Sequence, residues 1–511
     1  MKKAISILIV AAIILSLAAP AFAAESCNCE TLPVIYVPGF GTTIYQNPGE
    51  ENEISVFPPE QEAIDAALPD IIKAAVAGLI FGQYETFGTL AMKAAELLIG
   101  GMACNPDGTS PENVGIDKNL PPVIDTHKST VYEFSTVDDV ENASEYYFNY
   151  DWRLDPIDNA KELKIFIDQV KELTGHSEIV LSAHSQGNTI ITSYLHLYGS
   201  NGIAKLVMLS PAYQGLSLVG SLLTRTATVK NKGAEVVEFI RSIMDYSNPT
   251  NQLITALVSS LNKIGVLNLL LNKVQKILDS QLDRVFDEFL IDVMGTMPGV
   301  WSFVPAHQFE EAKEKTFRGL EKYDVLAEKV DYYHYNVKTK TTELIDAAKA
   351  NGTSVVIVAG YNISNIPANP ETAWHSDFLI DTKYMTLGAT CCDFSSTLGE
   401  NYKQAKTDCC HNHVSPDNKI DVSTAAYPEY TWLVKGNPHN EFNAAYREFI
   451  TWAILFDGQP TVHSNETYPQ FISVRNNELK IVTSSDETET RSNARIIFDS
   501  LVYLIKDAIA E

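Results

Sequence analysis

After its first 23 residues the chain has no apolar run long enough to cross a bilayer, so no stable transmembrane anchor is expected. It is short of positive charge: 38 lysines and arginines face 64 aspartates and glutamates, a formal net charge of −26. That balance argues against nucleic acid as a partner and against electrostatic docking on anionic lipid. Tandem repeats and low-complexity linkers are also missing. Cysteines are few, seven in all, and none stands in the CxxC spacing of a zinc knuckle.

What is present begins with MKKAISILIVAAIILSLAAPAFA, two lysines ahead of an apolar stretch that ends in Ala21-Phe22-Ala23. This pattern predicts a signal peptide over 1–23, a mature chain from Ala24, and a protein that is secreted, periplasmic or on the cell surface. Glu25 and Ser26 make a poor lipobox for Cys27. Export permits disulfides, and two bridges joining Cys391 and Cys392 to Cys409 and Cys410 are the leading expectation. A metal is the alternative, since CCHNH brings Cys409, Cys410, His411 and His413 within five residues, but no metal or cofactor is assigned to the site.

Apolar strands are expected at Leu32 onward, Tyr146 to Tyr150, Ile179 to Ser182, Ala204 to Leu209, Ser354 to Ala359 and Tyr430 to Val434. Helical patterns at Asp158 to Leu173, Asn188 to Tyr198 and Thr341 to Ala350 alternate with them, which predicts an α/β fold: a mostly parallel sheet with helices on both faces. The domain is expected to span 24–458. Two apolar, helix-rich insertions interrupt it: a lid-like one at about 50–140 and a helical cap at about 216–345. In the second, Leu253, Leu257, Leu261, Ile264, Leu267, Leu271, Val274 and Leu278 recur at spacings of three and four, predicting one helix face. The insertions can be ordinary cap core or a surface that docks on lipid. Residues 459–511 read as an appendage, a hairpin turning at Asn476 and Asn477 followed by a helix from Ala494 to Ala510.

The chemistry concentrates in IVLSAHSQGNTI, where Ser185 stands between a strand and a helix. A nucleophile elbow needs tiny residues two before and two after the serine, and Ala183 and Gly187 fill those places. A serine hydroxyl needs a base, and the base an acid that orients it. His439 follows the strand in EYTWLVKGNPHNEF and is the candidate base. The acid should lie between Ala359 and His439, where Asp377, Asp381, Asp393, Asp408, Asp417 and Asp421 are available. The turn-forming SPDN favours Asp417, with Asp421 as close rival. Two backbone amides should face the developing oxyanion, those of Gln186 after the nucleophile and Phe40 in VPGFG.

These segments together resemble the lecithin:cholesterol acyltransferase family, which includes phospholipid:diacylglycerol acyltransferases and lysosomal phospholipase A2. PVIYVPGFGTT looks like its first strand and oxyanion loop, YDWRLDP at Tyr150 to Pro156 like its YDWR signature, and AHSQGN like its GHSxG elbow. SPAYQG at Ser210 to Gly215, MPGVWSFVP from Met297, DNKI at Asp417 and PHNEF are similar to later motifs, over roughly Pro33 to Phe442. The resemblance implies Ser185 as nucleophile, Asp417 as acid, His439 as base, and Phe40 and Gln186 as oxyanion donors, and it raises Asp417 over Asp421. Departures are Ala183 for glycine, an acid loop without GDG, Gly299 in place of a frequent serine, and the vicinal cysteines. Asp151 and Arg153 are expected to form a structural ion pair.

The expectation is a serine acyl hydrolase or acyltransferase for lipid esters, working through an acyl-enzyme at a lipid-water interface. An esterase of small soluble esters, or a catalytically silent lipid-binding protein, is the alternative.

Overall fold

Continuous apolar runs of four to eight residues form the centre of one eight-stranded sheet in the computed structural model, which describes residues 31–117, 145–243, 249–370, 374–407, 411–475 and 478–484. The strands are β1 (Val34–Val37), β2 (Glu145–Tyr147), β3 (Ile179–His184), β4 (Ile203–Leu209), β5 (Ser354–Tyr361), β6 (Thr431–Lys435), β7 (Phe471–Arg475) and β8 (Glu478–Ile481). Their order across the sheet is β8-β7-β6-β5-β4-β3-β1-β2, parallel except for the antiparallel β7-β8 edge. Runs without polar alternation suit such strands because both faces are covered. Ile35, Leu181, Leu206 and Ile357 enter one core, and Tyr36, Val180, Val207 and Val358 enter the other.

The helices that matter for the site are α1 (Gln61–Ala75), α2 (Tyr84–Ile99), α3 (Pro156–Thr174), α4 (Gly187–Tyr198), α5 (Pro249–Lys263), α6 (Val266–Val285), α7 (Thr341–Ala350) and α8 (Ala444–Leu455); further helices, among them Gly233–Ile243 and Asp324–Asn336, complete the cap. Residues of α3, α4 and α7 fill the first core; α8 covers the second. Lys205 of β4 runs out to the carbonyls of Ala453, Ile454 and Phe456 at the end of α8, where its charge meets the negative end of that helix. Burial brings its ammonium down to about 8.

The expectation for the cap helix changes. The leucine-rich run is two helices, not one: Gly265 takes φ 78°, ends the first and turns the second by 82°. No single helix among the described residues is long and apolar enough to cross a membrane, although this bent pair passes that test jointly by length and composition. The C-terminal hairpin joins the main sheet by pairing β7 with β6. The signal segment, the helix expected from Ala494, and Cys409 with Cys410 lie outside the described residues. Cys104, Cys391 and Cys392 are free thiols.

The two insertions meet each other. Gly78, just after α1, lies against Ile277 of α6, where a Cβ would come within 2.9 Å of its Cδ1; Arg284 of α6 donates to Thr89 of α2 at 3.2 Å. They are held to the sheet by the YDWR segment. Arg153, fully buried, pairs with Asp151 at 2.6 Å and also donates to the Met102 carbonyl and Ser110 Oγ of the first insertion, at 2.9 and 2.6 Å. Removing one partner of a buried pair leaves the other charge unmatched. Arg153→Met should therefore cost about 3–5 kcal/mol in urea unfolding. Lys161→Ala, which breaks a pair with both side chains 53% exposed, should cost no more than about 1 kcal/mol.

Candidate active site

β1, β3, β5 and β6 all deliver their following loops to the carboxyl edge of the sheet, the usual ligand edge of parallel α/β folds. After β3 the chain turns sharply into α4, and Ser185 sits at the turn with φ 52°, a region costly for a residue with a Cβ. The turn is held from several directions. Ser185 N–H donates to the Leu209 carbonyl at 3.0 Å, and its carbonyl accepts from Ala212 N–H. The buried Asn188 amide donates to the carbonyls of Ala183, Ser185 and Leu209. Gly187 must be glycine, because a Cβ there would lie 2.3 Å from the Val37 carbonyl oxygen. Gly39 is equally confined, with a virtual Cβ 2.8 Å from Ser185 Cβ. Ala183 is tolerated because it lies within β3 between Val37 and Met208, before the tight part of the turn.

His439 follows β6 by four residues, through Gly436 at φ 69°. Its Nε2 is 2.9 Å from Ser185 Oγ, and its Nδ1 is 2.7 Å from Asp377 Oδ2. All three residues are buried. Asp377 Oδ1 accepts the N–H groups of Leu379 and Ile380 at 3.1 and 2.8 Å, and the Asp377 carbonyl accepts His439 N–H at 3.0 Å. Burial by itself would raise the Asp377 carboxyl, but the facing imidazole, its hydrogen bond and the two amides outweigh it and hold the group below the usual carboxylate range. The His184 ring lies tilted against that of His439 with centroids 4.6 Å apart, and its Nε2 lies 2.9 Å from the His439 carbonyl. Burial, reinforced by His439, lowers the His184 imidazole to about 3, so it is neutral and donates Nε2–H there.

Asp377 corrects the expected acid. Asp417 does sit in its predicted turn, but its Oδ2 pairs with Lys435 Nζ at 2.9 Å, away from His439. Asp421 is occupied as well, accepting from Tyr402, Ala405 and Ser423. Asp377 arrives because the chain leaving β5 pairs back on itself, Ile363–Ser364 with His375–Ser376, and the next residue meets Gly360 at the strand end. A Cβ on Gly360 would lie 2.7 Å from Asp377 Cβ. The local signal is a modest one, an Asp followed by the apolar run Phe378-Leu379-Ile380, whose last two amides it accepts. Asn188 and His184 were also not singled out from sequence.

Gln186 follows the serine directly, and Phe40 follows Gly39, which lies against Ser185. Among the described residues neither backbone N–H enters a hydrogen bond, which leaves both able to hold an oxyanion. Gln186 is fixed by its side chain, which donates to the Trp152 carbonyl at 2.7 Å, and Phe40 packs on Trp152 with centroids 4.1 Å apart. Gly299 backs this unit: a Cβ would stand 2.0 Å from the Trp152 carbonyl oxygen, which accounts for glycine where serine was expected.

Residues 138–238 match the family model described as lecithin:cholesterol acyltransferase, and the chain is like that family across this stretch. The match contains the YDWR segment and Ser185 and ends before Asp377 and His439. No curated protein matches the chain. A solved structure titled "The crystal structure of Tle4-Tli4 complex" aligns at 11% identity and a TM-score of 0.24, covering 65% of this chain and 75% of that one.

Asp377→Asn should lower ester turnover about 10⁴-fold, because the orienting carboxylate is gone. Asp417→Asn and Asp421→Asn should leave turnover per folded molecule near wild type; steady-state kinetics on a soluble p-nitrophenyl ester compares the three.

Proposed function

We propose that this chain, similar to lecithin:cholesterol acyltransferase over residues 138–238, is an exported serine acyl hydrolase or acyltransferase acting on lipid esters at a lipid-water interface. The observation that carries the reading is the hydrogen-bonded series Ser185, His439, Asp377, at 2.9 and 2.7 Å, built on a left-handed serine. Ser185 Oγ attacks the ester carbonyl while His439 Nε2 takes its proton. Asp377 keeps the imidazole proton on Nδ1 and balances the imidazolium as it forms. The Phe40 and Gln186 amides hold the oxyanion; collapse expels the alcohol, protonated by His439, and leaves an acyl-enzyme. Water, or the hydroxyl of a second lipid, then takes the acyl group by the same steps in reverse.

Lipid as substrate is supported by the cap. Ile80 and Phe81, at the bend between α1 and α2, are each 67% exposed, and Ile264, at the bend between α5 and α6, is 72% exposed. Leu68, Ile72 and Leu269 add exposed apolar surface along the same helices. Large apolar side chains at the tips of two helical bends suit insertion below the headgroups of a bilayer or emulsion. Export is supported by the leader-like first 23 residues.

A fluorophosphonate should label the wild type and fail to label Ser185→Ala, with His439→Ala labelling far more slowly; a folded wild type that does not label removes the serine chemistry. Replacing Ile80 and Phe81 together by aspartate should leave turnover of a soluble acetate ester unchanged while cutting turnover of phospholipid vesicles at least about tenfold, on the scale of two buried apolar side chains. Equal loss on both substrates would count against an interfacial cap.

A further inference from the structure

At the opposite end of β6 from His439, three histidines close around one carboxylate. Glu429 lies just before the strand. Its Oε1 is 2.9 Å from His411 Nδ1 and 3.3 Å from His413 Nε2, and its Oε2 is 3.2 Å from His463 Nε2. The four residues come from three separate pieces of chain: the loop before Asp421, the approach to β6, and the connection between α8 and β7. Ionic partners of Glu429 among the described residues are these histidines and no lysine or arginine.

The orientation of His413 bears most on what belongs there. Its side chain is fully buried, and its Nδ1 is 2.7 Å from Gln470 Oε1. Gln470 cannot be flipped without loss, because its Nε2 donates to the carbonyls of Pro428 and Thr431 at 2.7 and 3.0 Å. The Gln470 oxygen is therefore an acceptor, and His413 carries its proton on Nδ1. That leaves the Nε2 lone pair aimed at a carboxylate oxygen 3.3 Å away, two acceptors face to face. Such a contact is favourable only with positive charge between them, either a second proton on the ring or a cation. An imidazole whose far nitrogen is tied to a carbonyl-type oxygen is also how metal-bound histidines are held.

We propose that His411, His413 and Glu429 bind a divalent transition metal, with His463 closing the fourth side, and that zinc is the best match. The ligand atoms of the first three lie within 4.8 Å of one another. Zinc bonds of about 2.0–2.1 Å in a tetrahedron put neighbouring ligand atoms about 3.3 Å apart, close to the 2.9 and 3.3 Å from Glu429 Oε1 to the His411 and His413 nitrogens. Three imidazoles and one carboxylate are borderline ligands, which favour zinc over the oxygen-seeking calcium and magnesium. The His411 and His463 rings are already in contact, with centroids 3.8 Å apart.

The role is structural. β6 alone is five residues, about 16 Å at 3.3 Å per residue, and it separates this cluster from the Ser185 end. A metal here would clip the loop carrying His411 and His413 to the sheet margin, closing chain that otherwise costs entropy to hold in place.

The test takes the full mature chain, stripped with a chelator, re-equilibrated with zinc alone and gel-filtered. Metal content, zinc affinity and melting temperature are then measured. Wild type and Ser185→Ala should each retain about one zinc per chain and melt higher with it. His411→Ala alters a half-exposed ring and should fold. Glu429→Gln keeps the shape of the ligand. Each should weaken zinc at least about 100-fold and lose the zinc-dependent rise in melting temperature, since even outer partners of a metal ligand are worth about 10–100-fold. Turnover of a soluble ester by wild type should be the same with and without zinc at a temperature where both forms are folded. The proposal fails if wild type retains well under one zinc per chain. It fails equally if His411→Ala and Glu429→Gln bind zinc as the wild type does, which would put the metal elsewhere in the chain.

Discussion

The left-handed turn at Ser185 is the constraint around which the remainder of the site is arranged. A residue with a Cβ is held there only if neighbouring backbone fixes it from all sides, and each neighbour must come close enough to do so. Gly187 lets the β1 carbonyls approach the start of α4, Gly39 lets the following loop pass the serine, and Asn188 binds three carbonyls that a simple strand-to-helix turn would leave apart. The same closeness sets Gly39, and with it the loop that carries Phe40, directly against Ser185. Strain in the turn and the free amides beside it are thus two results of one packing arrangement.

A second tie connects this edge to the cap. Trp152 and Arg153 are adjacent, yet they serve different partners: the indole and its carbonyl hold Phe40 and Gln186, while the guanidinium holds Met102 and Ser110 of the first insertion. Gly299, from the far end of the second insertion, donates its N–H to the Arg153 carbonyl at 2.8 Å. Both insertions are therefore tied to Arg153, the neighbour of the Trp152 that holds Phe40 and Gln186. The ion pair expected between Asp151 and Arg153 is present, and its reach into the cap goes beyond what the pairing by itself suggested.

Much of this was legible in the sequence because it is written locally. Unbroken β-branched runs mark strands covered on both faces, and the strand, serine and small residue at Gly187 mark the elbow. His439 was legible from its place after β6. Asp377 was not, because the local signal there, an Asp ahead of an apolar run, is too common to single it out. The SPDN turn around Asp417 is real, and turn chemistry found it correctly, but which aspartate meets the imidazole depends on where the short pair Ile363–Ser364 and His375–Ser376 lets the chain return, and on Gly360 making room. The break at Gly265 failed to show for the opposite reason: the apolar spacing continues across it as if the helix did.

The early position of Asp377 has one more consequence. The acid of the hydrogen-bonded series is in place only sixteen residues after β5 ends, yet the chain does not enter β6, and so reach His439, until Thr431. The length in between folds back through the pairing of Thr390–Cys391 with Ile420–Asp421, so its two ends lie side by side. Geometrically it is a closed detour off the sheet. Its inner face, through Ile380, Met385, Ile420 and Val422, packs on Ala359, Tyr361 and Leu433 of the sheet, so the loop that carries the acid is anchored by the same core that holds β5 and β6 together.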